Sequence, residues 1–250
     1  MIVLAKKKNK KQKRTGILRV KYYSFGRVRK ARMIAADKHA GQFRKERISN
    51  KRLPFICHTS GTAEYLMAMR MPEDLVIAGH LHDVLEDTDM TEKEIEELFG
   101  PHVLFLVKAV TEPKGKPWPE RKKFKINALA NGTLEVKLLG TSDHCDNLLS
   151  ILEALYNEGL STPAEFAKAK VWHNFTKGYE SQKWYHQESC KAVFANVPYD
   201  MLHPMFGKLM RLVEIIFGEQ VIIDPHARIK VRRRQRDWIN PYNPETVNKN

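Results

Sequence analysis

Apolar positions along most of this chain recur at three- and four-residue intervals, and only the two ends alternate. The stretch "VRKARMIAADKHAGQFRK", Val28 to Lys45, predicts a helix, and "ERISNKRLP" after it reads as a polar loop. A second helix is expected from Pro54 or His58 to about Arg70. Pro72 is placed to open a third. Thr91 followed by Glu94 forms a capping box, so another helix starts there and stops at Gly100 and Pro101. "HVLFLVKAVTE" is apolar enough to be a buried helix, whereas "PKGKPWPERKKFK" reads as a Pro-rich basic loop. Further helices are expected over "FKINALANG", "LEVKLLGTSDHCDNLLSILEAL", "PAEFAKAKVWHNFTKGYESQKWYHQESCKAVFANV" and "DMLHPMFGKLMRLVEIIFG". The alternating ends, residues 17–25 and "QVIIDPHARIKVRRR", predict short strands that could pair with each other. The expected fold class is therefore mainly α: a helical bundle with a small β appendage formed by the terminal segments.

Charge refines the organisation. The net charge is +14, but Lys6 to Arg14 holds seven positive residues and Arg228 to Arg236 six, with no acidic residue in either run. The middle is nearly neutral. Residues 1–15 are expected to be a disordered basic tail, 16–218 one domain, and 219–250 a C-terminal basic extension. The basic ends could bind nucleic acid, or serve only as solubilising segments. Cys57, Cys145 and Cys190 form no CxxC pair, which argues against a disulfide framework or a structural zinc site and fits a reducing compartment. "MIVLA" is too short, and its charges come too late, for a secretory signal. No run reaches the roughly 18 apolar residues of a membrane span. A soluble, cytoplasmic protein with no membrane partner is expected.

Candidate chemistry concentrates in "GHLHDVLEDTD", Gly79 to Asp89. On a continuous helix at about 100° per residue, His82, Asp83, Glu86 and Asp87 fall on one face, and His80 on the other. Imidazole stacked with carboxylate suits a divalent cation, with His82 and Asp83 as ligands. Glu86 and Asp87, one turn on, could then orient or deprotonate a water. A His-Asp pair alone is also what a solvated acidic face looks like. Two further residues of the right chemistry tip the balance: His58, 24 residues before His82, and Asp143, 60 residues after Asp83. Each is expected on a separate helix, which would build a site in the core of a bundle.

The order His…His-Asp…Glu-Asp…Asp resembles the HD-superfamily hydrolase domain of the RelA/SpoT homologues. "HDVLEDT" is similar to that family's HD–x–x–ED–T stretch, "GQFRK…LPFICH" to its Arg-Lys segment, and "VKLLGTSDHCDNL" to "VKLADRxHNM". The resemblance implies an HD-domain helical bundle that cleaves the 3′-pyrophosphate from ppGpp and pppGpp. It implies that His58, His82, Asp83 and Asp143 bind one Mn²⁺ or another divalent cation, and that Glu86 and Asp87 activate water. It implies that Arg44 and Lys45 flank the guanine base or the phosphates, and that Asn147 holds the ribose side; Ser150 stands where the family has Thr. The family's synthetase domain has no counterpart within these residues, so a hydrolase-only type is expected. Thr59 replaces the usual Pro, His144 a usual basic residue and Asp146 the usual His.

These departures leave room for two other functions. One is phosphohydrolysis of a different nucleotide, such as NADPH at its 2′-phosphate. The other is nucleic-acid binding by a degenerate hydrolase body. The loop "KGKPWPERKKFK" reads equally as a phosphate-attracting rim or a solvated surface. The remaining histidines and the four tryptophans read as packing or surface residues, and Cys145 should point away from Asp143 on a helix.

Overall fold

A computed structural model describes residues 25–48, 51–219, 221 and 223. The chain begins with α1 (Phe25–Lys38), then a hairpin of β1 (Phe43–Ile48) and β2 (Lys51–Pro54). Next come α2 (Ile56–Ala68), α3 (Glu73–Leu81), the single turn α4 (Val84–Asp87), α5 (Glu92–Phe99) and α6 (Pro101–Val110). The second half holds α7 (Trp118–Asn131), the long α8 (Leu134–Asn157), α9 (Pro163–Phe166), α10 (Tyr179–Phe194) and α11 (Pro204–Phe217), with 3₁₀ turns at Lys170–Asn174 and Tyr199–Met201. The hairpin is antiparallel, pairing Phe43 with Pro54 and Ile48 with Lys51, with an irregularity between Phe43 and Arg47. No helix among the described residues is long and apolar enough to cross a membrane.

The bundle is organised around α8, which packs against α2, α3, α6, α7, α10 and α11. Its buried positions run from Leu134 to Leu155, so a polar residue near its middle lies inside the protein. Helix α3 is apolar all round and buried from Leu75 to Leu81. Leu75, Val76, Ile77 and Leu81 are fully buried, each contributing roughly 1.5–3 kcal/mol of transfer free energy. A Cβ on Gly79 would lie 3.0 Å from the Ala63 Cα of α2. The missing side chain lets α2 and α3 approach closely, which brings the histidines of the two helices together.

Local signals set most boundaries. The Thr91–Glu94 capping box forms as expected, and α5 ends at Gly100, whose φ of 93° favours glycine. Pro72 caps α3 and Pro101 opens α6. Elsewhere the structure departs from the periodicity. α1 stops at Lys38 instead of running to Lys45, because Gly41 takes a φ of 80° and redirects the chain into β1. The predicted polar loop holds the end of β1 and all of β2, so the described β structure lies beside the bundle core and not at the chain ends. The expected terminal strands lie outside the described residues, apart from Phe25, which is helical, and Val221 and Ile223, which belong to no helix or strand. The expected loop before Phe124 is already helix from Trp118, with Pro119 in the first turn where its missing N–H costs nothing. The expected long helix after Pro163 is three pieces, interrupted before Gly178.

One buried charge ties the second half together. Lys137 of α8 is 2% exposed. Its Nζ donates to the carbonyls of Leu129, Ala130 (3.1 Å), Ala192 (3.1 Å) and Ala195 (2.8 Å). These are the C-terminal ends of α7 and α10, where helix dipoles favour a cation. Burial pulls the Lys137 pKa down to about 8, which leaves it charged at neutral pH. Replacing Lys137 with Met keeps the stem and removes the donor, stranding buried carbonyls. The substitution is expected to cost roughly 2–4 kcal/mol, measured as a lower urea midpoint. An unchanged midpoint would show that the clamp is dispensable.

Candidate functional site

The helix ends and the middle of α8 converge on one buried point. His58 comes from the first turn of α2, His82 caps α3, and Asp143 comes from α8. The expected continuous helix through "HDVLED" is broken: α3 ends at Leu81, and His82 and Asp83 form a turn before α4. Asp83 is the N-cap residue of α4, with φ −100° and ψ −4°, and this turn sets the direction of its carboxylate. His58, His82, Asp83 and Asp143 are all less than 9% exposed.

The distances define a cation-shaped hole. The Nε2 atoms of His58 and His82 are 3.2 Å apart. Asp83 Oδ2 lies 3.4 Å from the first and 3.1 Å from the second. Asp143 Oδ1 lies 3.3 and 3.7 Å from them. The opposite ring nitrogens are engaged: His82 Nδ1 is 2.9 Å from the Gly79 carbonyl, and His58 Nδ1 is 2.7 Å from Asp146 Oδ2. A ring that donates through Nδ1 presents a lone pair at Nε2. Two lone pairs and two carboxylates thus face one another, an arrangement that demands positive charge at its centre. One donor atom each from His58, His82 and Asp143 lies within 4.8 Å of the others, so the residues present fit a divalent metal ion. The protonation balance carries the same information. Burial and the Arg44 charge oppose a charged His58, but Asp143, Asp146 and Asp83 outweigh them and hold its pKa well above the usual value. Asp83 and Asp143 are held well below the carboxylate range in spite of their burial, by His82 and His58 around the first and by Lys125, His58 and His82 around the second.

The hole opens at the floor of a cavity of about 290 Å³, near the lower end of small-molecule sites. Glu86, from α4, is held by the Glu112 backbone N–H at 2.6 Å and lies 3.7 Å from Lys125 Nζ. Burial raises its pKa against the pull of Lys125. Asp87 lines the cavity at a more exposed position, and desolvation and the Asp83 charge raise its pKa too. Lys125 is buried, with Nζ 3.6 Å from Asp143 Oδ2, and Glu86 and Asp143 help to keep it charged in spite of its burial. Arg44 and Lys45 of β1 reach the cavity, as does Asn147, which donates to Asp143 Oδ1 at 2.6 Å. Ser150 is half-buried and does not line the cavity, where Ile151 takes the next place along α8.

Glu112, Tyr185 and His186 line the cavity without having been anticipated, whereas Trp118, Arg121, Lys122 and Lys125 belong to the stretch expected as either a phosphate-attracting rim or a solvated surface. Glu112 pairs with Arg121 and with Lys122 (2.5 Å), and Trp118, Tyr185 and His186 form the far wall. His144 and His186 are buried against each other with Nδ1 atoms 2.9 Å apart. Burial lowers both, His144 to about 4, so the contact needs complementary neutral tautomers. Arg121, Lys122 and Lys125 lie at i, i+1 and i+4 on α7, a helical face that would have been visible had this stretch been read as helix. Asp146, three residues after Asp143, likewise falls on the same side of α8. Cys145 is buried in the hydrophobic core, away from Asp143, as expected.

Comparison with known proteins places this geometry in a class. Residues 31–131 match the family model described as an HD domain. Over 169 residues, 64% of this chain and 89% of the relative, the sequence is 31% identical to mouse guanosine-3′,5′-bis(diphosphate) 3′-pyrophosphohydrolase MESH1. The fruit-fly protein of the same name is 37% identical over 116 residues, which is 46% of this chain and 63% of that protein. A crystal structure from Listeria monocytogenes EGD-e superimposes with a TM-score of 0.59 at 37% identity, over 65% of this chain and 99% of that one. The chain belongs to the HD-domain family of guanosine-3′,5′-bis(diphosphate) 3′-pyrophosphohydrolases.

Removing a donor should empty the hole. His82→Ala and Asp143→Asn are expected to abolish tight Mn²⁺ binding in calorimetry, whereas Glu86→Gln, which lies outside the donor set, should retain it. Tight binding by all three variants would place the metal elsewhere.

Proposed function

We propose that this chain is a divalent-metal-dependent hydrolase that removes the 3′-pyrophosphate from guanosine tetra- and pentaphosphate. The products would be GDP or GTP and pyrophosphate. The observation that carries this reading is the convergence of His58, His82, Asp83 and Asp143 beside Glu86 on the floor of a cavity with basic edges. The names of the mouse and fly relatives support the substrate.

In the reaction, water attacks the phosphorus attached to O3′, the O3′–P bond breaks, and a proton from the water, relayed through Glu86, ends on O3′, leaving a 3′-hydroxyl and free pyrophosphate. A bound cation supplies Lewis acidity toward the phosphoryl group and the water; Mn²⁺ is the ion proposed here. Glu86 takes the water proton. The Glu112 N–H holds its carboxylate in place, and its raised pKa makes it a stronger base than an exposed glutamate. Asp87 stands beside it as a second acceptor and orients the water. Lys125, between Glu86 and Asp143, sets a fixed positive charge against the phosphates without requiring reorganisation. Arg44 and Lys45 on the hairpin, and Arg121 and Lys122 on α7, form the basic edges that attract a polyanion toward an acidic floor. Asn147 keeps Asp143 oriented and faces the substrate side.

Purified protein with Mn²⁺ is expected to release pyrophosphate from ppGpp. Glu86→Gln and Asp87→Asn should each slow release by about a hundredfold or more while leaving metal affinity intact. Preferential release of phosphate from NADPH in the same assay would reassign the substrate. Near-wild-type rates in both variants would move the proton acceptor to another group.

A further inference from the structure

One part-buried contact of the site comes from a residue outside the donor set. His58 Nδ1 meets Asp146 Oδ2 at 2.7 Å. We propose that Asp146 is a positioning residue of the metal centre, orienting His58 through a carboxylate–imidazole pair that Gly61 alone makes room for. The proposal rests on the metal reading of the site and deepens it.

Three observations support it. The contact is on the nitrogen opposite the one that faces Asp83 and Asp143, so it fixes both ring rotation and tautomer without competing for the ligand position. The approach is built into the backbone. Gly61 lies one turn after His58 on α2, and a Cβ there would sit 2.0 Å from Asp146 Oδ1 and 2.9 Å from its Cγ. Both lie far inside van der Waals contact, so any other residue would push the carboxylate away. The pair is also part of a closed ring. Arg44 Nη1 is 3.7 Å from Asp146 Oδ2 and donates to Asn147 Oδ1 at 3.1 Å, and Asn147 donates to Asp143 Oδ1 at 2.6 Å. His58 and Asp143, which sit on different helices, are thus joined twice: directly across the hole, and through Asp146, Arg44 and Asn147 behind it.

The test is a metal titration on the full chain by calorimetry, with thermal melting without metal as the folding control. Asp146→Ala is expected to weaken Mn²⁺ binding roughly 10- to 100-fold, the usual effect of losing the partner of a ligating histidine. Asp146→Asn keeps an oxygen acceptor in place and should recover part of the affinity. It also serves as the test if the alanine variant does not fold. Gly61→Ala should reproduce the loss, yet add little on top of Asp146→Ala, because the clashing carboxylate is then gone. Affinity within about twofold of wild type in both folded Asp146 variants, well short of the tenfold expected, would overturn the inference, as would Gly61→Ala and Asp146→Ala effects that simply add. His58→Ala separates the two levels. If His58→Ala loses the metal while the Asp146 variants keep it, positioning alone fails. If wild type and His58→Ala bind Mn²⁺ equally, the metal centre itself is wrong.

Discussion

Two imidazole Nε2 atoms 3.2 Å apart, with two carboxylates around them and almost no solvent, form an arrangement that cannot exist as neutral acceptors alone. Positive charge has to reach this point, and much of the architecture can be understood as supplying and containing it. Gly79 draws α2 and α3 together so that the rings meet. The long central α8 carries Asp143 into the interior. Lys125 and Arg44, both buried, bring fixed positive charge to the sides of the acidic cluster. The concentration of buried polar groups is destabilising in isolation, and the apolar mass of α3, α6 and α8 on the opposite side offsets it.

The same arrangement divides labour around the cavity. The floor is made of helix ends and the buried middle of α8. The rims are a hairpin on one side and the first turns of α7 and α10 on the other. Glu112 joins the two levels. Its backbone N–H holds Glu86, and its side chain holds Arg121 and Lys122. A substrate phosphate that draws Arg121 or Lys122 away from Glu112 therefore acts on a residue whose main chain positions the candidate base. The basic rim and the Glu86 carboxylate thus share one residue as a common partner.

The sequence made the helices with strong end signals legible: Thr91 with Glu94, Pro72, and Gly100 followed by Pro101 are local instructions that tertiary context did not need to override. That His58, His82, Asp83 and Asp143 would meet was legible because metal-donor chemistry restricts residue type, and Glu86 and Asp87 stood out as the next carboxylates after His82 and Asp83. What stayed hidden depends on approach between elements distant in sequence. The 43–54 hairpin was missed because its residues are charged and its pairing shows only in register. The basic stretch of α7 was legible as a candidate rim, but its helical form was concealed by prolines, which at a helix start mean initiation and elsewhere mean a break. Asp146 has no signature of its own; it matters only because Gly61, on another helix, leaves space for it.

The Lys137 clamp has a mechanical corollary. One ammonium grips α7 and α10 at their C-terminal ends, while Trp118, Lys122 and Tyr185, which face the cavity, lie toward the opposite ends. The two helices also touch where they face the cavity: the Trp118 and Tyr185 rings are 6.2 Å apart, and Lys122 Nζ lies 4.6 Å from the centre of the Tyr185 ring. The pair is thus braced at both levels, by one ammonium at the C-terminal ends and by ring packing at the aromatic end of the cavity.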